Sequence, residues 1–329
     1  MKQSDIARLA NVSVTTVSRA LAGHPTVNRE TQARIRAIAS EHGFRPNQLA
    51  RNLRLGQTRA IGIVLPLGHE RGQHLSDPFF LTMLGLLADT LTERDYDILL
   101  SRIIPDGEAW LDRLVDGGRV DGLILIGQSD QYAAIEAVAR RFRPMAVWGV
   151  ARPGQAQATV GSDNVLGGRM AADHLLSIGR RNLLFVGNPR PPEYADRLAG
   201  FTAAAEAGGA TVSILPIAMT PEEAHAAMLG RLAAGPVPDG IFCASDVTAM
   251  NVLRALADRG VAVPGDTAVI GYDDVAIAAQ TSPPLTTIAQ DIAGGAARLV
   301  EIVLGRIAGE AVDGLVLPPR LVVRGSTAD

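Results

Sequence analysis

Three stretches in the first 45 residues carry apolar positions at helical spacing, and each follows a polar residue that suits a helix cap. Ser4, Ser13 and Asn28 stand before the stretches, where a side-chain oxygen can accept a backbone N–H of the first turn. Gly23 and Gly43 end the second and third stretches. The residues predicted to face inward are Ile6, Leu9, Ala10, Val17, Ala20, Leu21, Ile35 and Ile38. Two short helices joined by a tight turn, with a third as support, predict a helix-turn-helix over residues 1–45.

In a helix-turn-helix the second helix lies in the major groove of DNA, and its first residues contact base edges. The predicted outer face of the second helix carries Val14, Thr15, Thr16, Ser18 and Arg19. An arginine suits guanine, and the methyl groups of valine or threonine suit thymine. A three-helix bundle without any DNA function has the same pattern, so both alternatives stay open at this point.

Residues 46–59 predict a short hinge helix and linker, because Pro46 suits the first turn of a helix. The apolar edge of this helix consists of Leu49, Ala50 and Leu53. A helix of seven or eight residues is unstable alone in water, because its nucleation is unfavourable. We therefore expect it to fold only against a partner. An ordinary interdomain connector is the alternative, and it does not explain the flanking Arg51 and Arg54.

From Ala60 onward, strand-like apolar runs alternate with helical stretches. The runs are AIGIVLP, YDILLS, DGLILIG, PMAVWG, NLLFVG, TVSILPI, GIFCAS and TAVIGY. Such alternation predicts parallel sheet with helices on both faces. The pattern repeats after about 120 residues, so we expect an α/β body of two doubly wound parallel-sheet lobes. Ligands of such folds bind at the carboxyl ends of the strands, where two facing lobes enclose one cleft.

The charge of the chain is divided between its two parts. The whole chain has a net charge of −3, but residues 1–59 carry ten basic and three acidic side chains, and the remainder has an excess of acidic ones. A basic segment on a larger acidic body is typical of a nucleic-acid-binding headpiece. Chance clustering of charge on a solvated face is the alternative.

Several classes of protein are disfavoured by what the chain lacks. The single cysteine, Cys243, excludes a disulfide framework, and the single lysine, Lys2, excludes a Walker-type phosphate loop. No nucleophile elbow, dinucleotide fingerprint or metal-spaced histidine pair occurs, so we expect no enzyme, no cofactor and no metal site. The polar N-terminus and the lack of a long apolar run favour a cytoplasmic protein over a secreted or membrane-spanning one.

The runs SDIARLANVSVTTVSRALAGHPTVNRETQARI and RPNQLARNLRLGQTRAIGIVLP resemble the lactose-repressor and purine-repressor (LacI-type) family of bacterial transcription factors. The resemblance extends over essentially the whole chain. It implies that Val14, Thr15 and Arg19 read bases and that Leu53 wedges into the minor groove. It also implies contacts to the DNA backbone from Ser13, Thr16, Asn28, Thr31, Arg51 and Arg54.

The loops after the predicted strands contain carboxylates, amides, an arginine and aromatic rings, which together suit a neutral polyhydroxylated ligand. Within them, ADRLAGF, ASD, IGYDD and DPFF resemble effector-binding segments of the family. The candidate effector-binding residues are Phe79, Phe80, Arg102, Gln128, Trp148, Asp163, Arg197, Ser245, Asp246 and Asp273. The chain departs from the family at Gly149, where an aspartate is common, and at Met219-Thr220, where an aromatic residue is usual.

The resemblance implies a transcriptional regulator, most simply a repressor, whose affinity for operator DNA depends on a small-molecule effector, expected to be a mono- or disaccharide. A homodimer on a near-palindromic operator is expected, because two-fold protein symmetry demands matching half-sites. We expect lobe 1 at about 60–157 and 287–315, and lobe 2 at about 158–286 and 316–329. A periplasmic sugar receptor and an α/β enzyme are the alternatives. A periplasmic receptor is expected to begin with a signal peptide, and an enzyme needs a set of catalytic residues; neither is recognised in this sequence.

Overall fold

The computed structural model describes residues 2–44, 57–66, 74–105, 107, 109–128, 130–218 and 221–328. The chain forms two compact units, Met1–Thr58 and Arg59–Asp329. We refer to the first unit as the headpiece and to the second as the body. The predicted hinge helix, with Arg51, Leu53 and Arg54, lies outside the described residues.

The headpiece contains three helices, α1 (Gln3–Leu9), α2 (Val14–Leu21) and α3 (Arg29–Glu41). Two predicted caps are confirmed: Ser13 Oγ accepts the backbone N–H of Thr16 at 3.1 Å, and Asn28 Oδ1 accepts that of Thr31 at 2.8 Å. The core of the headpiece consists of Ile6, Ala7, Ala10, Val17, Ala20, Val27, Ile35 and Ala39.

Two predictions for α1 were wrong. The helix is capped at Lys2 rather than at Ser4, and the Asp5 carboxylate accepts the Lys2 backbone N–H at 2.9 Å. Leu9 is 52% exposed. The inward face of α1 is centred on Ile6, Ala7 and Ala10, and Leu9 lies outside that stripe because successive residues of a helix are 100° apart.

Lobe 1 of the body is built on a six-stranded sheet in the order β11-β5-β4-β3-β1-β2, with all pairs parallel. Its strands are β1 (Ala60–Pro66), β2 (Asp97–Ile103), β3 (Gly122–Ile126), β4 (Met145–Trp148), β5 (Ala158–Ser162) and β11 (Leu315–Leu317). Its helices are α4 (Pro78–Thr92), α5 (Asp112–Asp116), α6 (Tyr132–Arg141) and α11 (Ile292–Ile307). Two hydrophobic clusters pack on this sheet, one of them with α4 and α11 and the other with α6.

Lobe 2 has a second six-stranded sheet in the order β12-β10-β9-β8-β6-β7, parallel except for the β10–β12 pair. Its strands are β6 (Asn182–Val186), β7 (Thr211–Leu215), β8 (Gly240–Cys243), β9 (Ala268–Asp273), β10 (Thr286–Ala289) and β12 (Arg320–Val322). Its helices are α7 (Asn164–Ser177), α8 (Pro192–Ala207), α9 (Pro221–Ala234), α10 (Asp246–Asp258) and a 3-10 turn at Ala276–Gln280. The predicted doubly wound architecture is confirmed.

The chain passes between the lobes three times, at places that differ slightly from those expected. The strand β5 belongs to the first sheet although residues from 158 were assigned to lobe 2, and β10 belongs to the second sheet although residues from 287 were assigned to lobe 1. The last two residues of β11 also remain in lobe 1. The lobes exchange chain only after each of these strands has completed its pairing, because an unpaired buried strand would leave backbone groups unsatisfied.

Candidate functional site

Helix α2 presents an exposed face on the surface of the headpiece. Val14, Thr15 and Arg19 are all exposed, with Val14 at 46%. Ser13 Oγ and Thr16 Oγ1 lie 2.8 Å apart at the start of the helix. The exposed face predicted for α2 is therefore present, and its base-reading role remains a prediction.

A buried arginine forms the centre of the candidate effector site in the body. Arg197, on α8, is only 5% exposed. Its Nε donates to Asn164 Oδ1 at 2.8 Å, and its Nη1 donates to the Ala244 carbonyl oxygen. The guanidinium carbon lies 3.6 Å from the ring centroid of Tyr272 and 4.9 Å from that of Tyr194. Hydrogen bonds and cation–π contacts thus fix the position of one buried positive charge.

Close packing of α7 against α8 positions this arginine. A Cβ atom at Gly168 on α7 would overlap the Arg197 carbonyl oxygen, and one at Gly200 on α8 would overlap that of Val165. The two glycines therefore allow the helix backbones to approach closely. The approach brings Asn164, at the start of α7, within hydrogen-bonding distance of Arg197.

Asp273 ends β9 and supplies a buried carboxyl group beside Arg197. Its Oδ1 accepts a hydrogen bond from Gln290 Nε2 at 2.7 Å. Burial raises the pKa of Asp273 well above its ordinary value, and the positive charge of Arg197 opposes this rise. Repulsion from Asp77, on the lobe 1 side, raises the pKa of Asp273 further.

Lobe 1 contributes the start of α4 and the loops after β3 and β4. Phe79 packs against hydrophobic clusters of both lobes, and its ring centroid lies 6.1 Å from that of Trp148. Asp77 caps α4 by accepting the Phe79 backbone N–H at 2.9 Å, and burial raises its pKa. Gln128 is 1% exposed and donates through Nε2 to the Val150 carbonyl oxygen at 2.8 Å.

Glu193, from the first turn of α8, connects lobe 2 to lobe 1. Its Oε1 accepts the Val150 backbone N–H at 3.3 Å. Burial raises the pKa of Glu193 above its ordinary value. A Cβ atom at Gly149 would lie 2.7 Å from Gln128 Nε2 and 2.9 Å from Glu193 Oε1. The side chains of Gln128 and Glu193 therefore occupy the space that an aspartate at position 149 would need.

Two aromatic candidates belong to the core of lobe 1 rather than to an open binding surface. Trp148 is 5% exposed, and a Cβ atom at Gly295 on α11 would overlap its ring. Phe80 is 7% exposed and lies in the same hydrophobic cluster. Helices α4 and α11 cover this face of the sheet, and contact of these two rings with a ligand remains a prediction.

The carboxylate of Asp246 also points into the protein. It accepts hydrogen bonds from Thr287 Oγ1 at 2.6 Å and from the Val275 backbone N–H at 2.9 Å, and the residue is fully buried. Burial raises the pKa of Asp246 to about 7. Ser245 caps α10 by accepting the Thr248 N–H at 3.2 Å. Asp246 therefore holds β10 and the segment after β9 together, which differs from the expected contact with ligand.

The two remaining candidate residues, Asp163 and Arg102, lie at different places in the body. Asp163 caps α7 by accepting the Leu166 N–H at 2.9 Å. Arg102 lies exposed in β2, the edge strand of the first sheet. Asp274 forms an ion pair with Arg324 at 2.6 Å, so it does not share a site with its neighbour Asp273, as the alternation of strand residues predicted.

Sequence reasoning missed several side chains that belong to the site. Tyr194 and Glu193 immediately precede the ADRLAGF segment, and Gln290 follows β10, which was not predicted. Asn164, at the start of α7, was not among the candidate residues. The feature of the sequence that could have identified these residues is their position in the chain, next to a strand end or to a recognised segment.

Comparison with known proteins agrees with this architecture. Residues 3–47 match a family model described as bacterial regulatory proteins, lacI family, and residues 172–327 match one for a periplasmic binding protein-like domain. The regulator DegA of Bacillus subtilis is 32% identical, over 98% of this chain and 97% of its own length. The chain belongs to the lacI family of bacterial regulatory proteins. It is accordingly a DNA-binding transcriptional regulator with an effector-binding body.

Two further similar proteins show how far the similarity extends. The ribose operon repressor of Haemophilus influenzae is 30% identical, over 98% of this chain and 97% of its own. A solved complex of the transcriptional regulator CelR with cellobiose has a TM-score of 0.72 and 27% identity, covering 99% of each chain. Among the described residues, no helix is long and apolar enough to cross a membrane, and no cluster of three metal-ligating side chains occurs.

Proposed function

We propose that this lacI-family member is a homodimeric repressor that binds a near-palindromic operator and responds to a mono- or disaccharide between its lobes. The protein acts by binding and catalyses no reaction. The observation that carries this proposal is the buried Arg197, fixed by Asn164 and two tyrosine rings beside the carboxyl group of Asp273. Hydroxyl groups can donate to the carboxylates and accept from the guanidinium in such a site.

A neutral polyhydroxylated ligand fits the electrostatics of the cleft. Asp77, Glu193 and Asp273 all have pKa values raised by burial, and one buried guanidinium stands among them. A raised pKa favours the neutral carboxyl group, which can donate a hydrogen bond to a ligand hydroxyl and accept one from it, as a neutral polyol requires. The relatives named for a ribose operon and for a complex with cellobiose make ribose and cellobiose the first sugars to test.

Operator binding is proposed to depend on α2 and on the hinge residues. Val14, Thr15 and Arg19 would contact bases, and Leu53 would wedge into the minor groove from a hinge helix that folds only on DNA. Ligand in the cleft changes the arrangement of the lobes and so decides whether the paired hinge helices can form. Coupling between two sites of this kind is typically about 1–3 kcal/mol, or about 5- to 150-fold in affinity.

The cleft is tested with Arg197→Ala and the control Arg169→Ala, since the Arg169 side chain on α7 is 62% exposed. Ribose, cellobiose and a wider sugar panel are first screened against the full chain by thermal shift. Operator binding is then titrated with and without the stabilising sugar. We expect Arg197→Ala to bind operator without responding to sugar, and Arg169→Ala to respond like the wild type. A wild-type sugar response in Arg197→Ala would contradict the proposed site.

The hinge is tested separately with Leu53→Ala. We expect operator affinity and DNA bending to be lost while sugar binding, measured by calorimetry, stays unchanged. An operator affinity equal to that of the wild type would show that no wedge operates.

A further inference from the structure

The turn at the end of β9 has an unfavourable backbone conformation at two successive residues. Asp273 has a φ of 115° and Asp274 has a φ of 57°. They are the only adjacent non-glycine residues with positive φ in the part of the chain that the structure describes. A side chain makes this conformation unfavourable, so it persists only where surrounding contacts hold it. The contacts around this turn therefore decide where the Asp273 carboxyl group lies.

Asp274 is held by the last segment of the chain. Its Oδ1 accepts a hydrogen bond from Arg324 Nη2 at 2.6 Å, and the two side chains are only 17% and 20% exposed. Arg320 Nη2 lies 3.4 Å from Oδ2 and belongs to a side chain that is 71% exposed. An exposed pair at the longer distance contributes little, whereas a largely buried pair with a short charge-assisted bond is strong. Arg324 is therefore the main partner of Asp274.

Arg324 is itself fixed through both its main chain and its side chain. Its backbone N–H donates to Thr286 Oγ1 at 2.8 Å, and this hydroxyl donates back to the Arg324 carbonyl oxygen at 2.9 Å. The Nη1 atom donates to the Leu285 carbonyl oxygen at 2.8 Å. The guanidinium group cannot follow Asp274 if the turn moves, so it serves as a fixed anchor.

The anchored turn continues into the effector site on one side and into the core on the other. Asp273, which precedes Asp274, accepts a hydrogen bond from Gln290 Nε2 at 2.7 Å. Val275, which follows it, donates its backbone N–H to Asp246 Oδ2 at 2.9 Å. Neighbouring residues share rigid peptide planes, so a change of backbone conformation at Asp274 displaces both of these contacts.

We propose that Arg324 is a positioning residue of the effector site. It acts through Asp274 and without touching the ligand: it holds the turn in its unfavourable conformation, and the turn directs the Asp273 carboxyl group toward a ligand beside Arg197. The inference rests on the proposed function, in which this carboxyl group binds the sugar. Without Arg324 the turn relaxes, and the form that binds ligand is populated for only a fraction of the time, which weakens the apparent affinity by that fraction.

The first measurement follows the turn in the absence of any ligand. Amide hydrogen exchange is recorded by mass spectrometry on the full-length protein, for the peptide that contains Val275. The variants are Arg324→Ala and Arg324→Lys, and the controls are Arg320→Ala and Arg180→Ala. Arg320→Ala removes a positive charge near the same carboxylate, and Arg180→Ala removes a half-buried arginine at the amino ends of the lobe 2 strands. Circular dichroism of each variant confirms that it is folded.

We expect the Val275 peptide to exchange about tenfold or more faster in Arg324→Ala, because a hydrogen bond between charged groups is lost. The lysine variant should lie between Arg324→Ala and the wild type, and both controls should exchange like the wild type. A wild-type exchange rate in Arg324→Ala, or an equal acceleration in Arg180→Ala, would overturn the proposal.

Asp274→Gly tests the strain of the turn, and it takes the place of Arg324→Ala if that variant does not fold. It also removes the ion pair, but glycine adopts a positive φ without penalty. Asp274→Gly should therefore unfold at a higher temperature than Asp274→Ala, the reverse of the usual order. Its Val275 peptide should still exchange faster than that of the wild type. If Asp274→Ala unfolded at the higher temperature, the turn would not be strained and the proposal would fail.

The second measurement connects the turn to the ligand. The dissociation constant is determined by calorimetry with ribose, with cellobiose and with the sugar that stabilises the wild type most in the thermal-shift panel. We expect it to rise about tenfold or more in Arg324→Ala, to be partly restored in Arg324→Lys and to be unchanged in both controls. Faster exchange with a wild-type dissociation constant would leave Arg324 a purely structural role and overturn the proposal. If no sugar bound the wild type, the proposed function would fail, and the exchange measurement would still decide whether Arg324 holds the turn.

Discussion

The contact between α7 and α8 leads to a sharp prediction for Gly168→Ala. The added Cβ atom would overlap the Arg197 carbonyl oxygen and lie 2.9 Å from the Phe201 backbone nitrogen, where ordinary contact begins at 3.4 Å. Both obstacles are main-chain atoms, so no side-chain rotation relieves them and the helices must separate. Overpacking of this kind is unfavourable by about 1–3 kcal/mol, and a main-chain obstacle places it near the upper value.

The helix preference of alanine over glycine offsets about 1 kcal/mol of this loss. We therefore expect the free energy of unfolding to fall by about 2 kcal/mol. For a body of this size that lowers the melting temperature by about 3–4 °C. The same displacement moves Arg197 away from Asn164, and loss of a hydrogen bond to a charged group weakens sugar binding by about tenfold or more.

Differential scanning calorimetry measures the first effect, and sugar titration measures the second. Gly230→Ala is the matched control, since a Cβ atom at this exposed position on α9 meets nothing within 4 Å. The control should be stabilised by about 0.5–1 kcal/mol and should bind sugar normally. If Gly168→Ala unfolded at the temperature of the wild type and bound sugar equally well, the close helix contact could not be what positions Arg197.

Two further predictions concern the pH dependence of stability and DNA recognition. Burial raises the pKa of Asp246 from 3.8 to about 7. Ionisation of this carboxyl group therefore lowers the free energy of unfolding by about 2–3 kcal/mol as the pH rises from 5 to 8. Chemical denaturation of Asp246→Asn should show a pH dependence weaker by that amount, and an unchanged dependence would mean that other groups cause it. Arg19→Ala should reduce discrimination between bases at one base pair of each half-site by about 1–3 kcal/mol. The measurement compares binding to operators that carry single base-pair substitutions. Equal losses of affinity on every sequence would show that Arg19 contacts only phosphate.

The elements predicted from sequence are those whose determinants are local. Ser13 and Asn28 cap their helices through residues three positions away, and a single sequence displays that spacing. The strands β5, β10, β11 and β12 were missed because β5, β10 and β12 contain polar positions and β11 and β12 are only three residues long. Their pairing depends on partners far along the chain, which propensity does not reveal.

The candidate site likewise combines residues that a local sequence segment identifies with residues that only long-range packing brings together. Arg197 was recognisable from its local segment, but its partners come from separate elements, and the contact with Asn164 joins two helices. The burial of Trp148 was not predictable for the same reason, since it is covered by Gly295, which lies on α11 more than a hundred residues further along the chain. The depth at which an aromatic side chain lies depends on long-range packing, and hydrophobicity alone does not distinguish core from cleft.

The interleaving of the two lobes has a consequence for biosynthesis. Domains generally fold as units in the order in which they are synthesised. The headpiece is complete once its first 58 residues have emerged from the ribosome, whereas lobe 1 waits for α11 and β11 near the end of the chain. A product of premature termination would therefore retain a folded headpiece and lack the cover over Trp148. Such a fragment cannot complete lobe 1 or form a ligand pocket, and it should be a substrate for quality-control proteases.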